Sequence, residues 1–130
     1  MKNPSEAIKY YDTACVILTN ELKTDPDNWE IKSSLGIAYA GLGNKEKALK
    51  EGEQAYQLAW KDKMDERTMK TYLTEIYLMV GDYTNAYSNL SYLVNNESFF
   101  SGRLLEIEPE WKSLLDHPEY KTRIRKLAKI

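Results

Sequence analysis

Residues 35–55, LGIAYAGLGNKEKALKEGEQA, are echoed 38 residues on by residues 73–93, LTEIYLMVGDYTNAYSNLSYL. The two stretches agree at Leu35/Leu73, Tyr39/Tyr77, Gly43/Gly81 and Ala48/Ala86, and Asn44 and Asp82 each follow the matched glycine. Self-similarity at a fixed period of this size marks a stack of supersecondary units, none of which buries its apolar face alone. A chain of this kind folds as a row of hairpins, each contacting its neighbours, and not around a single centre.

The spacing within the row is helical throughout. Ala7, Tyr11, Ala14, Leu18 and Leu22 recur at three- and four-residue intervals, which predicts one helix from Ser5, a capping residue, to about Lys23. Asp25-Pro26-Asp27-Asn28 stops it, because proline disfavours helix in the residue before it. A second helix runs from Trp29 to about Ala40. Gly41-Leu42-Gly43-Asn44 supplies a turn, with glycine for a left-handed helix end and Asn44 to cap the next helix. Further helices are expected from Lys45 to about Lys61, Thr68 to Val80 and Tyr83 to Asn95, with 61–66 as a polar connector. Short helices are expected at 99–107, 109–115 and 118–128, the last with proline in its first turn. No alternating apolar and polar run is bounded by turns, so no strand is expected.

At 130 residues, 42% hydrophobic and 29% charged, the chain has the size and composition of one globular domain. A net charge of −2 argues against a general nucleic-acid binder. Charge is uneven: Lys112, Lys121, Arg123, Arg125, Lys126 and Lys129 face only Asp116 and Glu119, which makes the end +4 and the rest −6. No apolar run approaches the ~20 residues of a membrane span, and the first residues do not read as a signal peptide. Cys15 is the only cysteine, which rules out an internal disulfide and leaves the compartment undetermined.

Catalytic chemistry is thinly supplied, and no catalytic, cofactor-binding or metal-ligating residue is expected. His117 is the single histidine and sits at a helix start, Asp116-His117-Pro118. Cys15 lies on the apolar side of its helix with no base placed to activate it. Residues 36–41 have the glycine spacing of a phosphate loop, but Leu42 stands where lysine is required. Glu106, Glu108 and Glu110 read as a solvated run, since an oxygen cage for a hard cation needs more ligands. The ten tyrosines and three tryptophans fall mostly at helical core spacing. The cations of 121–130 suit a terminal helix meeting the negative end of its own dipole.

Trp29, Leu35, Gly36, Tyr39, Gly43, Ala48 and Ala55, then Leu73, Tyr77, Gly81 and Ala86, resemble two units of the tetratricopeptide repeat family. Thr74 and Leu93 depart from the family's small residues, and the connector 61–66 adds four residues to its period. The ending LLEIEPEWKSLLDHPEYKTRI, through Pro109, Trp111, Leu114, Leu115, Pro118 and Tyr120, is similar to C-terminal repeat regions of bacterial multidomain signalling proteins: serine/threonine kinases, adenylate cyclases and winged-helix regulators. The resemblance implies an all-α fold of antiparallel hairpins stacked in a right-handed superhelix. Its parts would be a leading helix (1–28), two repeats (29–62 and 63–97) and a C-terminal helical cap (98–130). The leading helix has no upstream mate, as in a module excised from a longer protein.

The resemblance also implies a ligand groove built from the first helix of each pair: Glu30, Ser33, Ile37, Ala40 and Gly41, then Thr68, Thr71, Glu75, Leu78 and Met79. The lysine and asparagine set that clamps a peptide carboxylate in some family members is absent, with Ser33 and Ile37, and Thr71 and Glu75, in its place. An apolar peptide or helix is the expected ligand, taken from a partner protein or an adjoining domain. The expected role is a non-catalytic interaction or regulatory scaffold, without cofactor, nucleic acid or membrane insertion. The alternative is a structural spacer or weakly self-associating module whose groove is filled by its own C-terminal segment.

Overall fold

The structure is a computed structural model and describes residues 4–95, 117–119 and 122. Its described residues form five helices: α1 (Pro4–Thr24), α2 (Trp29–Gly41), α3 (Lys45–Ala59), α4 (Lys63–Val80) and α5 (Tyr83–Asn95). No strand occurs among them, so the all-α expectation holds. The expected cap, 98–130, lies outside the described residues apart from 117–119 and 122.

Consecutive helices pack on one another, and α4 lies against both α2 and α3. A shift of 38 residues carries α1 onto α3, α2 onto α4 and α3 onto α5, so the sequence period is also a period of elements. The turns repeat in detail. Gly43 and Gly81 have φ of 78° and 82°, the left-handed conformation that ends a helix without Cβ strain. The next residue reaches back in both copies: Asn44 N–H donates to the Tyr39 carbonyl at 2.9 Å and Asp82 N–H to the Tyr77 carbonyl at 2.8 Å. The side chains of those residues then cap the following helix. Asn44 Oδ1 accepts from Lys47 N–H, and Asp82 Oδ1 accepts from Asn85 N–H.

One boundary differs from the sequence expectation. Lys63 to Glu66, assigned to a connector, form the first turn of α4. Asp62 makes this possible by accepting the backbone N–H groups of both Met64 and Asp65, while Asp65 and Glu66 favour the positive end of the helix dipole. The four added residues therefore lengthen a helix and leave the loop short.

The core lies between α3, α4 and α5. Ala55, Ala59, Met69, Leu73, Tyr77, Leu78, Ala86 and Leu90 form its buried cluster, with Trp29, Leu49, Tyr56, Tyr83 and Tyr87 packed around it. A second cluster of Ala40, Ala48 and Ile76 joins α2 to α3 and α4. Gly36 and Gly52 permit that closeness, since a Cβ on either would stand 2.9 Å from Ile76 Cδ1. Thr74, at the position of Gly36 in the second copy, is wholly enclosed and spends its hydroxyl on the Lys70 carbonyl. By contrast, α1 contains no buried residue. Its expected apolar stripe, Ala7, Tyr11, Ala14, Leu18 and Leu22, is half-buried, while Ile8, Tyr10, Val16 and Ile17 are exposed.

Candidate functional site

The residues expected to line a groove do not form one surface. Ile37, Ala40 and Met79 come together around Ile76, where α2 meets α4. Ser33, Ala40 and Leu78 are enclosed, at 2%, 7% and 6% exposure, and Leu78 belongs to the α3–α4–α5 core and not to the Ile37 side. The Ser33 hydroxyl donates to the Glu30 carbonyl one turn earlier. Thr68 and Thr71 likewise donate to the carbonyls of Met64 and Arg67. Glu30 is exposed, and Gly41 and Glu75 are half-buried. In Gly41's case the Tyr11 ring occupies the space a Cβ would take. Of the set, Ile37 also faces an open hollow, and that hollow lies between α1 and α2.

Two adjoining hollows of about 190 and 380 Å³ occupy that seam and share Tyr10, Ala14, Leu18 and Ser34. Ile37, Ala38 and Tyr11 complete the smaller, and Thr13 and Ile17 complete the larger. Helical spacing makes this surface: Tyr10, Ala14 and Ile17 follow one another along one face of α1, and Ser34 and Ala38 along one face of α2. Ala38, at 2% exposure, is the floor. Tyr10 and Ile17, at 58% and 51%, are raised edges, and the Tyr10 ring stands edge-on to that of Tyr11 with centroids 5.5 Å apart. No charged side chain lines either hollow. An exposed apolar trough of this kind can take an apolar ligand and offers nothing for acid–base or nucleophilic chemistry.

A second, polar cluster joins α3, α4 and α5. Tyr56 Oη donates to Glu66 Oε2 at 2.7 Å and Tyr92 Oη to Glu66 Oε1 at 2.9 Å. Lys70 Nζ sits over both rings, 5.0 Å from the Tyr56 centroid and 4.2 Å from that of Tyr92, and also donates to Tyr56 Oη. Burial works to raise the Glu66 carboxyl, but the two hydroxyls and the charges of Lys70 and Arg67 outweigh it and hold the group below the usual range. Burial first, then hydrogen bonding to Glu66, pushes the Tyr56 hydroxyl well up. The cluster is a clamp between three helices. Beside it a cleft of about 210 Å³ opens among Glu53, Gln57, Tyr77 and Asn89. Asn89 Nδ2 is buried there without a protein partner, which suits a bound water.

Burial, followed by the Asp12 carboxylate, raises the Cys15 thiol against a smaller pull from Lys47, which keeps it protonated at neutral pH. The His117 ring lies 4.7 Å from that of Tyr83 at the start of α5. Among the described residues no group of three histidine, cysteine, aspartate or glutamate side chains is placed to hold a metal, and no helix is long and apolar enough to cross a membrane.

Sequence spacing marked Ala14 and Leu18 as apolar but read them as packing, and it left out Tyr10, Ile17, Ser34 and Ala38. The signal lay in the repeat itself: Tyr10 and Ile17 fall 38 residues before Ala48 and Ala55, large residues where the second copy has small ones. No protein-family model, curated protein or solved structure matches this chain.

Proposed function

We propose that the chain is a tetratricopeptide-type interaction module whose binding surface is the α1–α2 trough, and that its ligand is an amphipathic helical segment of another protein. The observation that carries this reading is the pairing of the 380 Å³ hollow with the solvent-exposed Tyr10 and Ile17 at its edges. A helix laid along the trough covers both side chains and docks apolar residues at i, i+3, i+4 and i+7. The echo of 35–55 in 73–93 and the matched glycine turns support the repeat assignment. Ile37 then belongs to the α1–α2 surface, while Ala40 and Met79 contribute to the packing behind it.

The test is selection of binders from a library of helical peptides, followed by titration against Ile17→Asp and Tyr10→Asp variants. Binders that lose affinity for both variants support the reading. Binders indifferent to both overturn it. The exposed Tyr10 and Ile17 favour one other reading, self-association through the same face. It predicts a mass that rises with concentration and falls back in Ile17→Asp, measured by sedimentation.

A further inference from the structure

The polar cleft between α3, α4 and α5 differs from the trough in that its lining carries charge. Lys70 belongs to the tyrosine clamp, where its ammonium helps to hold the Glu66 carboxyl down. Those two charges cancel, and the hydroxyls of Tyr56 and Tyr92 each take one Glu66 oxygen. Glu53, exposed on α3, is left as the net charge of the lining. Its field reaches inward, since burial, then Glu53 and Asp82, raise the Tyr77 hydroxyl. At the other extreme, Asn89 Nδ2 is a buried donor with no protein partner. The space is about 210 Å³, far more than a single water needs.

A buried donor and an exposed carboxylate make different demands. The donor needs an acceptor oxygen, because a buried N–H left unpaired is costly. The carboxylate accepts from N–H groups and repels an anion. A carboxylate ligand fails the second condition, and an ammonium ligand fails the first. A primary carboxamide meets both. We propose that the cleft binds a primary carboxamide of another molecule, whose oxygen accepts from Asn89 Nδ2 while its NH2 group donates to the Glu53 carboxylate. The aliphatic stem of the ligand then lies on Leu73 and the Tyr77 ring. A glutamine or asparagine side chain of a peptide and a free small amide share this chemistry. Outside the described residues, this chain's own carboxamides are Asn3 and Asn96 alone. The site is independent of the trough.

The full chain, labelled with nitrogen-15, is titrated with propionamide, sodium propionate and propylammonium chloride at constant ionic strength. The reporter is the Asn89 side-chain NH2 pair, identified by its absence from Asn89→Ala, with the Leu73 and Tyr77 backbone amides beside it. Propionamide is expected to shift the pair saturably with a Kd on the order of 10 mM, and the two charged probes to act about fivefold more weakly. Glu53→Gln, at an exposed position, should weaken propionamide and strengthen propionate. Asn89→Ala keeps a good helix former in α5 and should abolish the propionamide response of Leu73 and Tyr77. N-acetylglutamine methylamide and free glutamine then separate a peptide side chain from a free amide, and a preference for either supports the site. Equal response to the three probes, or none, leaves the cleft to water and overturns the proposal. Tighter propionamide binding in Asn3→Ser or Asn96→Ser assigns the cleft to the chain's own amide, and tighter binding on dilution assigns it to a second copy. Either result also overturns it.

Discussion

A methyl group added at Gly36 would meet Ile76 Cδ1 at 2.9 Å, the Ala48 carbonyl oxygen at 3.2 Å and the Gly52 nitrogen at 3.3 Å. Alanine improves helix propensity by up to about 1 kcal/mol, but overpacking a fixed site costs about 1–3 kcal/mol. Gly36→Ala is therefore expected to destabilise by about 1 kcal/mol in urea denaturation, and Ile76→Val, which removes the offending Cδ1, should recover part of the loss when combined with it. Gly81→Ala acts differently, through its φ of 82° in open space, and should cost about 1–2 kcal/mol with no partner able to rescue it. The titrating residues set the pH limits. Glu66 has a lower pKa folded than unfolded, so its contribution is present above about pH 4 and is lost as pH falls through the folded value. The urea midpoint should drop on acidification, less steeply in Glu66→Gln. Tyr77 runs the other way: burial, then the charges of Glu53 and Asp82, push it up to about 12. Its contribution is full below the unfolded value of about 10 and fades as pH rises from there to about 12, a decline that Tyr77→Phe should reduce.

At the scale of elements, most of the architecture was legible because the signals are local. The stripe of α1, the glycine at each turn and the capping asparagine or aspartate all lie within a few residues of the structure they determine. The first turn of α4 was not, because lysine, methionine and acidic residues suit a connector and a helix start equally well. What decides is whether Asp62 aims its carboxylate at two backbone N–H groups, and that is a matter of backbone geometry. Replacing Asp62 with alanine should cost about 1 kcal/mol and fray 63–66, visible as faster amide exchange confined to that turn. The trough illustrates the opposite limit. Ala14 and Leu18 carry the right periodicity, but nothing local distinguishes a face that meets a neighbour from one that meets water. Ser33, Ala40 and Leu78 were read as groove residues from their place in a repeat, and long-range packing enclosed them.

Across the described helices, burial is graded along the stack. The large buried side chains Met69, Ile76, Leu90 and Leu93 all belong to α4 and α5, whereas α1 contributes none. Burying a side chain of that size is worth about 1.5–3 kcal/mol, so the two ends differ by several such terms. Native-state hydrogen exchange should find α4 amides opening only with global unfolding, and α1 amides opening at a much lower free energy. A uniform profile would contradict the graded picture.

Helix α1, which has no buried residue, also provides half of the trough. Whenever it lifts from α2, Tyr10, Ala14 and Ile17 leave with it, and the surface ceases to exist. Affinity for any ligand in the seam is therefore scaled by the fraction of molecules in which α1 is docked, and a bound ligand holds α1 down by the same free energy. Substitutions such as Leu22→Ala, half-buried on α1 and outside the lining of both hollows, should weaken binding through that population alone.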